Sequence, residues 1–182
     1  MDEREDDDGL LARIGSGDRH AFGRLMDRHA GRVFTLARAV LGSAADADDV
    51  TQEVFVTVWR RAEDWRPGRA RFATWLYRVT VNQSLNHKNR VAGKDAPLDL
   101  AAEQQDPAPA ADERLDADRR LQRVSTAVAG LPEGQRTAVT LTYTTGLSNA
   151  DAAAAMAISV KALEALLVRA RRTLRETLGG DA

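Results

Sequence analysis

A basic segment near the carboxyl end of the chain constrains the fold most. Residues 147–156 are rich in alanine, and after three further residues comes a cationic stretch, 160–172. Ser148 and Ser159 stand where two helices would begin, and a serine hydroxyl accepts hydrogen bonds from the free N–H groups of a first helical turn. The segment therefore predicts a helix-turn-helix, a motif that places its second helix in the major groove of DNA.

The second helix of this motif is predicted to have two faces. Leu163, Leu167, Ala170 and Leu174 recur at helical spacing, so we expect them to point inward. Early residues of such a helix meet base edges, and later arginines meet phosphates. The residues predicted to face DNA are Ser159, Lys161, Glu164, Ala165, Val168, Arg169, Arg171 and Arg172. The alternative is a helical hairpin whose arginines only keep it soluble.

Charge distribution supports a nucleic-acid partner, although the net charge is only −1. Residues 66–90 contain six Lys or Arg and no acidic residue. The chain has no cysteine, which excludes disulfides and cysteine-bound zinc and fits a reducing cytoplasm. The acidic segment 1–8 does not resemble a secretory signal, and no apolar run approaches the ~20 residues of a membrane span.

Helical periodicity accounts for most of the chain, and no strand pattern competes with it. We expect helices over 9–41 with a break near 15–17, and over about 45–61, 70–90, 113–129 and 133–144, followed by the helix-turn-helix. The stretch 91–112 contains proline, glycine and five acids against one lysine. This composition is typical of a flexible linker. The sequence thus predicts an all-α protein of two small helical domains, 9–91 and 113–178, joined by a flexible acidic linker, 92–112.

Two predicted helices carry candidate binding surfaces in the first domain. Cations and amides interleaved with aromatic residues suit unpaired nucleic acid. The candidates here are Arg71, Arg78, Asn82, Asn86, Lys88 and Arg90. The preceding helix has a polar outer face of Asp48, Asp49, Gln52, Glu53 and Arg60. Alone this is an ordinary solvated face, but beside a basic helix it becomes a candidate protein-docking surface.

Catalysis has little support in the sequence. The three histidines show no ligand spacing with acids or with each other, and the common phosphate-binding and nucleophile motifs are missing. We therefore predict a protein with no enzymatic activity, no metal site and no cofactor.

Four ordered motifs resemble one family. Segments 46–59, 72–82, 131–136 and 146–154 are similar to the polymerase-binding helix, the promoter-melting segment, and the start and first helix-turn-helix element of a bacterial sigma factor. The type resembled is the extracytoplasmic-function (ECF) class of the sigma-70 family, which has only the sigma-2 and sigma-4 domains. The resemblance extends over about residues 9–178.

This resemblance implies a cytoplasmic transcription initiation factor. Sigma-2 would dock its acidic face on the β′ clamp of core RNA polymerase, and its basic helix would read and open the −10 element. Sigma-4 would place the helix over 160–172, the recognition helix, at the −35 element and rest on the β flap. The resemblance also implies control by an anti-sigma factor. Two alternatives remain: a LuxR-type two-domain transcription regulator, which would not explain 46–82, and a protein-interaction module with a degenerate helix-turn-helix.

Overall fold

The computed structural model describes residues 5–68, 71–92 and 117–179, except for the side chains of 92 and 117–121. Within these ranges the regular structure is entirely helical, which confirms the predicted fold class. The helices are α1 (Asp7–Gly15), α2 (Arg19–Leu41), α3 (Ala44–Arg61), α4 (Phe72–Ala92), α5 (Ala117–Ala129), α6 (Glu133–Val139), α7 (Asn149–Ala155) and α8 (Val160–Gly179). A π-helical turn, Thr140–Thr144, continues α6. Most of the predicted linker lies outside the described residues.

Local sequence sets the boundaries of the first helices. The Asp18 carboxylate accepts from the N–H groups of His20 and Ala21, at 2.8 and 3.0 Å, and so begins α2. Gly42 ends α2 in the left-handed region, with φ of 78°. Ser43 then caps α3. These residues allow a tight reversal, so α2 and α3 pack side by side.

The first module, residues 5–92, is a bundle of α2, α3 and α4 with α1 packed on one end. Aromatic rings fill much of it: Phe22 meets Phe55 and Trp59 edge-on, with ring centroids 6.2 and 5.1 Å apart. A second aromatic group, Trp65, Phe72 and Trp75, packs where α4 begins. The bundle holds α3 and α4 side by side and so positions the two candidate surfaces.

The acidic residues 5–8 are part of this module, although their sequence does not indicate it. Asp7 Oδ2 lies 2.8 Å from His29 Nε2, and Trp65 Nε1 donates to Asp8 Oδ1 at 2.8 Å. The contact with His29 is the main cause that lowers the pKa of Asp7 below its ordinary value of 3.8. Gly15 approaches the backbone of Glu63 so closely that a Cβ there would lie 3.0 Å from its Cα. Helix α1 therefore fastens α2 to the end of α3.

The second module, residues 117–179, uses smaller side chains. Helices α5, α6 and α7 pack against α8, and the buried residues are mainly alanine and leucine: Leu131, Ala138, Leu141, Ala152, Ala153, Ala155, Met156, Leu163, Leu166, Leu167 and Ala170. Ala157 links α7 to α8 with φ of 55°, a left-handed conformation that is unfavourable for a residue with a Cβ. Small residues let α7 and α8 cross closely.

The two modules are in contact. Helix α6 and the π-helical turn pack against α2, and α7 packs against α4. Arg136 Nε donates to the Ala39 carbonyl at 2.6 Å, and Arg136 Nη1 donates to Ala129 and Leu131 at 2.7 and 3.1 Å. Burial lowers the pKa of Arg136. One arginine therefore satisfies carbonyl groups from both modules.

Candidate nucleic-acid and polymerase interfaces

The polar face of α3 is exposed to solvent, as the sequence predicts. Asp48, Asp49, Gln52, Glu53 and Arg60 are all exposed, because Val50, Val54, Phe55 and Val58 take the buried side of the helix. This face forms one wall of an open cleft of about 610 Å³ between α3 and α4. The cleft presents carboxylates and amides at its rim, which is suitable chemistry for a cationic protein surface.

The candidate nucleic-acid residues of α4 form a stripe. Arg78, Asn82, Asn86 and Arg90 follow one another at every fourth position, which places them on one face of the helix. All four are exposed, and so are Arg71, just before α4, and Lys88. The structure therefore brings amide and guanidinium groups together along about three helical turns.

The two surfaces meet at a small polar network. Arg90 Nη2 lies 3.1 Å from His87 Nδ1 and 3.5 Å from Glu53 Oε1, while His87 Nε2 lies 3.2 Å from Asp46 Oδ1. A neutral His87 that carries its proton on Nε2 satisfies both of its contacts. A candidate docking residue and a candidate DNA-binding residue thus touch directly.

The partners of the histidines are the contacts that the sequence predicted least well. The spacing suggested no acid partners, yet His87 pairs with Asp46 and His29 pairs with Asp7. These partners come from other helices, so no local pattern marks them. Among the described residues, no group of three or more His, Cys, Asp or Glu side chains is arranged to hold a metal ion.

Lys88 occupies a special place among the candidate DNA ligands. Its Nζ forms an ion pair with the Glu133 carboxylate, which begins α6 of the second module. Glu133 is the more buried partner, with 14% of its side chain exposed against 49% for Lys88. Lys88, a candidate DNA ligand, is therefore engaged in a contact between the two modules in this structure.

The helix-turn-helix has the expected geometry. The Ser148 hydroxyl accepts from the Asp151 N–H, and the Ser159 hydroxyl accepts from the Ala162 N–H, both at 3.1 Å. Leu163, Leu167 and Ala170 are buried and Leu174 is half-buried, which confirms the predicted inward face.

The outward face of α8 is also as expected. The eight residues predicted to face DNA are exposed: Ser159, Lys161, Glu164, Ala165, Val168, Arg169, Arg171 and Arg172. Val168 is 62% exposed, so its apolar side chain is available for contact. A residue that sequence reasoning missed lies beside this face: Tyr143, whose hydroxyl accepts from Arg171 Nη2 at 2.6 Å.

Comparison with known families divides the chain at the same place as the structure. Residues 25–93 match the model of sigma-70 region 2, and residues 121–174 match that of sigma-70 region 4. The chain is 33% identical to the RNA polymerase sigma factor CnrH of Cupriavidus metallidurans, over 100% of this chain and 99% of CnrH. It is also 33% identical to the ECF RNA polymerase sigma factor SigM of Mycobacterium tuberculosis, over 97% of this chain and 86% of SigM. The chain belongs to the ECF class of the sigma-70 family.

Solved structures agree with this assignment. The ECF factor described here superposes on CnrH in complex with the cytosolic domain of CnrY with a TM-score of 0.65, at 31% identity, over 97% of this chain and 99% of the other. A structure of RpoE with the anti-sigma factor NepR from Bartonella quintana gives a TM-score of 0.64 at 22% identity, over 88% and 98% of the two chains, and supports the fold. We therefore call the first module sigma-2 and the second sigma-4. In the described part of this sigma factor, no helix has the length and apolar character needed to cross a membrane.

Proposed function

We propose that this protein is a transcription initiation factor that binds core RNA polymerase and directs it to promoters with particular −10 and −35 elements. The observation that carries the proposal is the order of three exposed surfaces along the chain: the polar face of α3, the stripe on α4 and the outward face of α8. The first two lie in the part that matches region 2, and the third lies in the part that matches region 4. The protein has no enzymatic activity of its own in this proposal and acts in the cytoplasm.

The polar face of α3 is the proposed contact with the β′ clamp. Its residues are Asp48, Asp49, Gln52, Glu53 and Arg60. Carboxylates at an exposed rim favour a cationic partner and exclude anionic ones, so this face attracts a basic protein helix and repels DNA.

The stripe on α4 is the proposed contact with the −10 element. Asn82 and Asn86 carry paired donor and acceptor groups that match base edges, while Arg71, Arg78 and Arg90 carry charges that match phosphates. Lys88 lies outside the stripe and would add a further phosphate contact once its ion pair with Glu133 breaks. Because the stripe lies beside the docking face, polymerase and melted DNA would be held on adjacent sides of one helix pair.

The outward face of α8 is the proposed −35 contact, and sigma-4 also rests on the β flap. Glu164 accepts hydrogen bonds but repels phosphate, so it suits the amino group of cytosine or adenine. Ala165 and Val168 suit the methyl group of thymine. We expect Glu164→Gln to change which −35 bases are selected from a randomised library. We expect Arg172→Ala to weaken binding to all −35 sequences alike. It should also lower the salt slope, which is the steepness with which log affinity falls with log salt concentration, by about 1.

Promoter recognition requires the modules to separate in this proposal. The −10 and −35 elements are centred about 25 base pairs apart, or about 85 Å along B-form DNA. Sigma-2 and sigma-4 touch in the structure. The 24 residues from 93 to 116 span at most about 80 Å when fully extended. The modules themselves cover part of the 85 Å, since α8 alone is about 30 Å long. The linker therefore has to span only the remainder, and its length is enough for sigma-4 to reach the −35 element after the contact breaks.

An anti-sigma factor is the proposed regulator. The similar structure of CnrH contains the cytosolic domain of CnrY, and the more distant RpoE structure contains NepR. A protein of this class that covers the α3 face would exclude the polymerase from it.

Run-off transcription tests the proposal. Core polymerase without a sigma factor and the purified chain are combined on templates with randomised −35 and −10 elements, and the transcribed templates are sequenced. We expect enrichment of both elements. A LuxR-type regulator would give no transcript without another sigma factor, and an interaction module would give none under any condition.

A matched pair of variants, titrated against core polymerase, tests the docking face. Glu53→Arg reverses a charge on the proposed clamp contact, and we expect at least a tenfold loss of affinity for core polymerase. Asp27→Arg makes the same change at an exposed position on α2 and serves as the control. Equal affinity of the two variants would remove the α3 face from the proposal.

A further inference from the structure

Tyr143 lies in an unusual backbone segment of sigma-4. The Thr145 N–H donates to the Thr140 carbonyl five residues back, at 3.0 Å, where an α-helix would use the carbonyl four residues back. Such a π-helical turn contains one extra residue, which rotates the following side chains by about 100° relative to α6. The turn ends α6, since residues 145–148 are not helical, and turns of this kind occur at helix C-termini. Tyr143 lies within the turn, whose extra residue displaces its side chain from the direction that a regular α-helix would give it.

The displaced side chain points to solvent. Tyr143 is 58% exposed, although its neighbours Thr140 and Leu141 are buried. Packing of the core therefore does not account for a tyrosine at this position. Its hydroxyl is directed at the recognition helix, where it accepts from Arg171 Nη2 at 2.6 Å.

The hydrogen-bond chemistry of the pair defines its ligand. A tyrosine hydroxyl that accepts a hydrogen bond still has its own hydrogen to donate, and a guanidinium retains four of its five N–H donors. The pair thus offers several donors and one positive charge, which suits a phosphate oxygen. Arg171 follows Glu164 by seven residues and Val168 by three, at the end of the outward face of α8. At that position a helix in the major groove meets the DNA backbone and not base edges.

We propose that Tyr143 and Arg171 bind one phosphate of the −35 DNA together. Tyr143 donates its hydroxyl hydrogen to a phosphate oxygen and holds the Arg171 guanidinium in the orientation that contacts the same phosphate. Holding the arginine in place before binding removes part of the entropy loss that ordering a long side chain otherwise causes. This inference rests on the proposed function and adds a residue to the −35 contact.

The test uses polymerase holoenzyme and a promoter fragment recovered from the randomised templates. Affinity is measured by titration at several KCl concentrations for four proteins: the wild type, Tyr143→Phe, Arg171→Ala and the double variant. We expect Tyr143→Phe to weaken binding about 10- to 100-fold, the effect of one hydrogen bond to a charged group, without changing the salt slope. We expect Arg171→Ala to lower the salt slope by about 1. In the Arg171→Ala background, Tyr143→Phe should weaken binding less than in the wild-type background, because only the direct hydrogen bond to the phosphate is then left to lose.

Two controls separate this inference from its alternatives. Arg175→Ala removes another exposed arginine of α8, and in that background Tyr143→Phe should keep its full effect. Sequence preference at −35 should not change, because a phosphate contact does not read bases. Equal effects of Tyr143→Phe with and without Arg171, or no effect at all, would overturn the pair. Failure of the wild-type holoenzyme to bind any promoter fragment would instead overturn the proposed function.

Discussion

Sigma-2 and sigma-4 are built from different kinds of side chain. The core of sigma-2 contains two aromatic groups, one around Phe22, Phe55 and Trp59 and the other around Trp65 and Phe72. In sigma-4, the described buried residues are mainly alanine and leucine, with one methionine, one valine and two threonines, and no ring-to-ring contact occurs among them. Aromatic side chains bury about 150–250 Å² each, several times more than the single methyl group of alanine can.

The two cores suit the different tasks of the two modules. Sigma-2 must hold α3 and α4 rigidly beside each other, and large interlocking rings do so. Sigma-4 must bring α7 and α8 close enough to fit a DNA groove, so it uses small residues such as Ala152 and Ala153 at the crossing. We infer that the small core leaves sigma-4 less stable and more dependent on its contact with sigma-2, through Arg136 and the Lys88–Glu133 pair.

Removing one ring from sigma-2 should have the largest effect. Phe55→Ala leaves a cavity in a packed core, and we expect a loss of about 3–5 kcal/mol in the free energy of unfolding. All three tryptophans of the chain, Trp59, Trp65 and Trp75, lie in sigma-2, so tryptophan fluorescence during urea unfolding measures this module alone. The matched change in sigma-4, Met156→Ala, should shift the unfolding curve recorded by far-ultraviolet circular dichroism but leave the fluorescence curve in place. Coincident shifts in both signals would show that the modules unfold as one unit.

The contact of α1 with α2 should contribute less to the stability of sigma-2 than the aromatic rings do. Asp7→Asn removes the carboxylate that pairs with His29, and we expect a loss of about 1–2 kcal/mol at pH 7. Because folding lowers the pKa of Asp7, its stabilisation is complete above the ordinary value of 3.8 and is lost as the pH falls through the lowered value. The stability difference between wild type and variant should therefore be constant from pH 7 to pH 5 and shrink toward pH 2. A difference that grows on acidification would contradict this assignment.

The contact between the modules should be weaker still. Glu133→Lys places a like charge beside Lys88. We expect the arrangement in which sigma-2 and sigma-4 touch to be destabilised by about 1 kcal/mol. The chain contains no cysteine, so Thr35→Cys and Thr177→Cys allow two dyes to be attached, one in each module. Energy transfer between the dyes should fall in Glu133→Lys and recover when Lys88→Glu is added. Glu176→Lys, an exposed change on α8, is the control and should leave the transfer efficiency unchanged.

The smallest effect is expected at the turn of the helix-turn-helix. Ala157→Gly relieves the left-handed strain at φ of 55° and should stabilise sigma-4 by about 0.5–1 kcal/mol. Ala154→Gly, inside α7, should instead destabilise it by a similar amount. Thermal unfolding followed by circular dichroism distinguishes the two. Destabilisation by both variants would show that the turn is not strained.

Local pattern was enough to predict the helices and the exposed surfaces. The spacing of Leu163, Leu167 and Ala170 determines which side of α8 is buried, and the opposite side is then exposed wherever the helix packs. The same spacing rule correctly predicted that the polar side of α3 is exposed. A helix repeats every 3.6 residues, so its buried and exposed faces follow from the order of apolar residues alone.

Partners from distant parts of the chain were decided only by the tertiary structure. His29 finds Asp7 at a separation of 22 residues, and Arg136 finds the Ala39 carbonyl at a separation of 97. Tyr143 reaches Arg171 from a π-helical turn, where the helical phase changes. No sequence pattern predicts this turn. Periodicity determines the direction of a side chain relative to its own helix, but the group that it meets depends on how the helices pack, and that is decided by the fit of the whole core.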